Sequence, residues 1–146
     1  MRHIFTLIIL IFITFQVSFS QQITEQQKKE IEEYEKKIQE YKSQNNDSKT
    51  VFYLMKIGHI YWNSLVFNDA INYFEQAKTI IEGKSNQNAL MEVNNFLGIL
   101  YSDVKNYSEA EKCYNKSLEI AYLANDKNTL ISALTNYGNS LMAQGK

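Results

Sequence analysis

The sequence predicts an all-α fold: an α-hairpin solenoid of about two and a half repeats behind an N-terminal capping helix. Three observations predict it. Glycines fall at 58, 98 and 138, a period of 40. Ala70 follows Gly58 at the same interval as Ala110 follows Gly98. From Ile31 onward, apolar residues recur at steps of 3 and 4, the mark of helices with one buried face. A unit repeated at such an interval buries its face by stacking on the next unit.

The first twenty residues form a separate object. Arg2 and His3 give a short basic start, and Ile4 to Phe15 is apolar except for Thr6 and Thr14. Ser18-Phe19-Ser20 then supplies small residues before a cut ahead of Gln21. That layout predicts a secretory signal peptide over 1–20 and an exported chain, periplasmic or secreted. The run is short for a spanning helix, which needs about 20 apolar residues. Left uncleaved, it would anchor the chain to a membrane.

Residues 21–49 carry a polar capping or coiled-coil-like helix and a connector. Ile31, Tyr34, Ile38 and Tyr41 form a narrow stripe among Glu, Lys and Gln. Thr24 followed by Gln27 at the third position on suits a capping box. Tyr34 stands 40 before Phe74 and 80 before Tyr114, which favours a capping helix over a coiled coil. Ser43 to Lys49 reads as a polar connector.

The array occupies 50–146, as units 50–86, 87–127 and a truncated 128–146. In the first unit, helix A is expected over Thr50 to Ser64, with Leu54, Ile57, Tyr61 and Leu65 apolar. Helix B follows from Asn68 to Glu82, with Ile71, Phe74, Ala77 and Ile81 inward. Gly83 suits a left-handed helix end. In the second unit, helix A is expected over Asn88 to Val104 and helix B over Ser108 to Leu123, with Ser108 and Glu111 as a capping box. Gly98 and Ala110 are small enough for the two helices to meet, with Tyr101 and Tyr114 filling the space on either side. The last helix A is expected over Thr129 to Ala143, with Ile131, Leu134, Tyr137 and Leu141 on one stripe. The sequence stops before a matching helix B, so that stripe should be sticky. A fragment of a longer protein, or docking of this end on a partner or on a second copy through helix 129–143, would account for it.

The set Gly58, Tyr61, Ala70, Phe74 and its copy Gly98, Tyr101, Ala110, Tyr114, resumed at Gly138, resembles the tetratricopeptide repeat in a long 40-residue variant. The usual period is 34, Asn94 replaces the large residue seen at Leu54 and Leu134, and the turn glycine is replaced by Leu65 and Lys105. The resemblance implies a right-handed superhelix whose first helices line a groove for a protein or peptide. It places Phe52, Met55, His59, Trp62 and Asn63 there from the first unit. The second unit gives Glu92, Asn95, Ile99 and Ser102, and the third gives Ser132, Thr135 and Asn139. Phe52 and Trp62 would act as anchors or pack on the capping helix, and the asparagines would bond a peptide backbone.

Composition narrows the function further. Without residues 1–20 the chain has 14 lysines, no arginine and 16 acidic groups, a net charge of −2. That argues against a nucleic-acid partner, since phosphate and base contacts need a basic surplus and lean on arginine. One histidine, His59, and one cysteine, Cys113, make no zinc set and no disulfide. No nucleophile–base arrangement, P-loop or dinucleotide motif appears, so no catalytic residue, cofactor or metal is expected. The expected function is a non-catalytic exported scaffold binding a protein or peptide. The alternative is the N-terminal extracytoplasmic sensor or interaction region of a larger signalling protein, such as a histidine kinase or a transcriptional regulator.

Overall fold

The computed structural model describes residues 23–145. The expected signal peptide, residues 1–20, lies outside them. Among the described residues there are six helices and no strands: α1 (Glu25–Ser43), α2 (Asp47–Asn63), α3 (Phe67–Ile81), α4 (Gln87–Asp103), α5 (Tyr107–Leu123) and α6 (Lys127–Ala143). Each packs on the next in sequence, and α4 also meets α6. The closest pairs are α2 with α3 and α4 with α5, the two complete hairpins. This is the expected α-hairpin solenoid, and Asp47, Gln87 and Lys127 start α2, α4 and α6 in the register of the glycines.

The helix starts lie earlier than the sequence suggested. Asn46 accepts the backbone N–H of Lys49 at 3.1 Å, Asn86 that of Ala89 at 3.2 Å, and Asp126 that of Thr129 at 3.1 Å. A capping oxygen therefore recurs once per repeat and starts α2 at Asp47, not Thr50. The expected box at Ser108 is absent, because α5 begins at Tyr107, behind Asn106, with no side-chain cap. Thr24 and Gln27 do form their reciprocal pair at the start of α1.

Four helices end alike. Leu65 donates to the carbonyl of Trp62 and Val66 to that of Tyr61, both at 2.9 Å. Asn45 with Asn46, Lys105 with Asn106, and Asn125 with Asp126 repeat the pattern. This is the Schellman closure, which needs a left-handed residue. Here that residue is Asn45, Leu65, Lys105 or Asn125, at φ 53° to 60°. Leu65 belongs to this turn and is half exposed, so it is not part of the buried stripe. The fifth connector, after α3, uses Gly83 at φ 77°.

The core runs along the stack through Leu54, Ile57, Phe74, Ile81, Leu97, Leu100 and Tyr114. Ile31 and Ile38 seat α1 on it, and Tyr34 and Tyr41 lie 5.4 and 5.7 Å from the ring of Tyr53. The nearest neighbour of Gly98 across the helix pair is Tyr114. Its ring lies on the glycine, and a Cβ there would stand 2.6 Å from Tyr114 Cε1. Gly58 receives Phe74 in the same way, at 2.7 Å. Gly138 differs, with nothing within 4 Å of a Cβ placed there. On α6 the buried residues are Ala133 and Ser140, and Tyr137 stacks on Tyr114 at 5.3 Å. Ile131 and Leu134, expected on a stripe without a matching helix B, are more than half exposed.

Tyrosine hydroxyls tie each hairpin to the next. Tyr101 donates to Glu75 at 3.0 Å and Tyr137 to Glu111 at 2.9 Å. Both pairs have the same separation in sequence, yet Tyr137 and Glu111 each fall short of the full repeat shift from Tyr101 and Glu75. The second tie therefore sits one helical turn earlier in both helices.

Candidate partner-binding groove

The three A helices, α2, α4 and α6, are joined side by side by polar contacts. Trp62 Nε1 donates to Asp103 at 3.3 Å, Asn136 donates to Asn95 at 3.2 Å, and the Ser102 and Ser140 hydroxyls are 2.7 Å apart. Two clefts open between α4 and α6 and one between α2 and α4.

The cleft between α2 and α4 has a volume of about 290 Å³ and is lined by Phe52, Met55, Lys56, His59 and Glu92. Phe52 is exposed, with Tyr53 packed edge-on at 5.2 Å and the Lys56 ammonium 5.3 Å from its ring centre. Lys56 and Glu92 give the cleft one charge of each sign. Its wall is an aromatic cluster in which the His59 ring meets Phe96 at 4.5 Å and Phe74 at 5.1 Å, both edge-on. Burial, and then the nearby Lys56 charge, hold the His59 imidazole below its ordinary pKa. It is therefore a neutral, apolar wall at neutral pH.

The larger cleft between α4 and α6, about 420 Å³, brings together Glu92, Asn95, Phe96, Asp126 and Ser132. The smaller, about 210 Å³, holds Ile99, Ser102, Asp103 and Asn139. The amides and acids leave backbone-bonding capacity facing a guest, while Tyr114 and Ala143 supply apolar floor.

The expected groove residues divide accordingly. Phe52, Met55, His59 and Glu92 share one cleft, and Asn95 and Ser132 share the next with Glu92. Ile99, Ser102 and Asn139 share the third, but the Ser102 hydroxyl is already bonded to the Gly98 carbonyl and to Ser140. Trp62 is not a free anchor. Its ring meets Phe96 of α4 at 5.7 Å and its N–H is held by Asp103. Asn63 and Thr135 line none of the three, and the Thr135 hydroxyl donates to the Ile131 carbonyl. Sequence reasoning missed Phe96, Lys56 and Asn136. Each stands two positions before a repeat glycine, Gly98, Gly58 or Gly138, so the period could have found them.

Cys113 is buried on α5, and burial pushes its thiol up to about 11, leaving little thiolate at neutral pH. Among the described residues no group of three or more His, Cys, Asp or Glu is placed to hold a metal. No described helix is long and apolar enough to cross a membrane. A further cleft, about 520 Å³, lies between α1 and α3, where Glu32, Glu35, Lys36 and Lys42 surround Tyr73. Tyr73 donates to Glu35 across it at 2.9 Å, so its main phenolic group is already satisfied.

A search of curated proteins finds no match. A family model, the tetratricopeptide repeat, matches residues 50–122, from the first turn of α2 to the end of α5. Repeats of this kind commonly mediate protein–protein interaction and are generally non-catalytic, which supports a scaffold role. Six packed helices, the regular register of their glycines and this match over half of the sequence agree: the chain belongs to the tetratricopeptide repeat family.

Proposed function

We propose that the chain is an exported scaffold that binds an extended peptide segment of a partner protein along the faces of α2, α4 and α6. The observation that carries this reading is the α2–α4 cleft. Exposed Phe52 and half-buried Met55 stand beside the neutral His59 wall, with one cation and one anion on the rim. An apolar guest side chain fits between Phe52 and Met55, and the amides of Asn95 and Asn139 reach a backbone continuing toward α6. The double variant Phe52→Ala/Glu92→Ala tests it against peptides selected on the purified chain. A loss of affinity of about tenfold or more, with an unchanged melting temperature, is expected. Equal affinity would overturn the groove assignment.

Export rests on the order of basic start, apolar run and small residues over 1–20. N-terminal sequencing of protein recovered outside the cytoplasm is expected to begin at Gln21. A protein retained in the cytoplasm with Met1 or Arg2 at its start would overturn export.

A further inference from the structure

We propose that the segment bound in the α2–α4–α6 groove is basic. A large apolar side chain sits between Phe52 and Met55, and Lys or Arg side chains of the same segment lie over the α4–α6 clefts beside Glu92, Asp103 and Asp126. The inference rests on the groove reading above and adds to it the charge of the guest and the side of the groove on which that charge lies.

The clefts divide by charge. The α2–α4 cleft holds one cation, Lys56, placed over the Phe52 ring, together with Glu92. Of the two α4–α6 clefts, one is lined by Glu92 and Asp126 and the other by Asp103, and neither is lined by Lys, Arg or His. Lys105 and Lys127 neighbour Asp103 and Asp126 in sequence but line neither cleft. The groove is thus mixed in charge at α2 and acidic toward α6.

The chain's own lysines pair elsewhere. Among the described residues, five of the six ion pairs fall within α1, α3 or α5, and the sixth joins Lys84 to Asp47. None of those residues lines the three clefts. The acids of the α4–α6 clefts have neutral partners instead. Asp103 accepts from the Trp62 N–H, and Asp126 from the Thr129 backbone N–H and hydroxyl. Such bonds fix a carboxylate in place and leave its charge uncompensated. At Asp126 the Thr129 backbone bond, and then its hydroxyl, hold the carboxyl below its ordinary pKa. Glu92 is exposed and joins none of these ion pairs.

The smaller cleft adds a match of shape. Ile99 and Ala143 line it beside Asp103. A lysine stem lies on apolar surface of this kind while its ammonium reaches the carboxylate. An acidic guest would bring like charge to all three acids, with no cation in either cleft to receive it.

The test uses the purified full chain and synthetic peptides of one Phe in an Asn- and Ser-rich sequence with a flank of Lys, Gln or Glu. Each is made with the Phe first and with the Phe last. In one of the two orders we expect the Lys peptide to bind at least about tenfold more tightly than its Glu counterpart, with Gln between them. Affinity for the Lys peptide should fall about tenfold between roughly 0.05 and 0.5 M salt, and that for the Gln peptide less than about twofold. The double variant Glu92→Gln/Asp103→Asn removes two charges and keeps an acceptor for Trp62, so its melting temperature should hold. Its preference for Lys over Glu should shrink to about threefold or less. Binding that Phe52→Ala weakens but that is equal for the Lys and Glu peptides would overturn the charge of the guest and leave the groove reading standing. A Lys preference untouched by the double variant would do the same. Failure of every peptide to bind in a way that Phe52→Ala weakens would overturn both.

Discussion

The ring of Tyr114 lies across the backbone of Gly98, leaving no room for even a methyl group at that position. Tyr114 is buried and also stacks on Tyr137, so a shift of its ring disturbs that stack. One contact therefore couples α4, α5 and α6. Gly98→Ala is expected to lower stability by about 1–3 kcal/mol. Gly138→Ala, with open space around it, should raise stability by about 0.5–1 kcal/mol, because a helical glycine is entropically unfavourable. Paired denaturation curves check both, and equal shifts in the same direction would refute the assignment.

Ser117 is fully buried, and its hydroxyl has no hydrogen-bond partner among the described residues. Its counterpart one repeat earlier is Ala77, also buried. An unsatisfied buried hydroxyl costs about 1–3 kcal/mol. Ser117→Ala should therefore raise the stability of the chain, read as a higher denaturation midpoint at an unchanged slope.

Lys105 holds φ 60° with its side chain in solvent. A left-handed L-residue is strained by about 1–2 kcal/mol, which glycine avoids. Glycine is looser when unfolded, so Lys105→Gly should gain about 1 kcal/mol or less. Asn125→Gly should gain less, since asparagine tolerates the conformation. Denaturation midpoints of the two variants, compared with the native chain, give the order.

His59 ties stability to pH. Its folded pKa lies below 6.5, held down by burial and then by Lys56. Above pH 6.5 both folded and unfolded forms are neutral, and the stability is intact. As pH falls below 6.5 the unfolded chain takes up a proton that the folded chain resists, so stability declines until pH passes the folded pKa. Melting temperatures between pH 8 and 5 should show this segment in the native chain and lose it in His59→Gln.

Much of the fold was legible because its signals are periodic. Glycines at 58 and 98, and the paired Thr24 and Gln27, needed only counting. The helix starts were harder: Asn46, Asn86 and Asp126 sit among polar neighbours and look like connector until their backbone bonds are seen. Gly98 and Tyr114 were both legible as repeat residues, but their mutual contact was not, since it depends on how two helices cross. Trp62 shows the same limit for the site. The resemblance put it on the groove side, and only packing shows that Phe96 and Asp103 occupy it. At Gly138 the register held while the contact did not, because no described helix faces it.

At four junctions the residue that closes one helix is followed at once by the residue that opens the next, so Asn46, Val66, Asn106 and Asp126 each serve two helices. Such joints leave no slack chain for a protease to grip. Glu82 to Asn86 is different, an exposed stretch tethered by a contact from Lys84 to Asp47. Limited digestion should therefore cut first between Glu82 and Asn86. A cut there would leave the first hairpin held to the second by packing and by the Tyr101–Glu75 and Trp62–Asp103 hydrogen bonds alone.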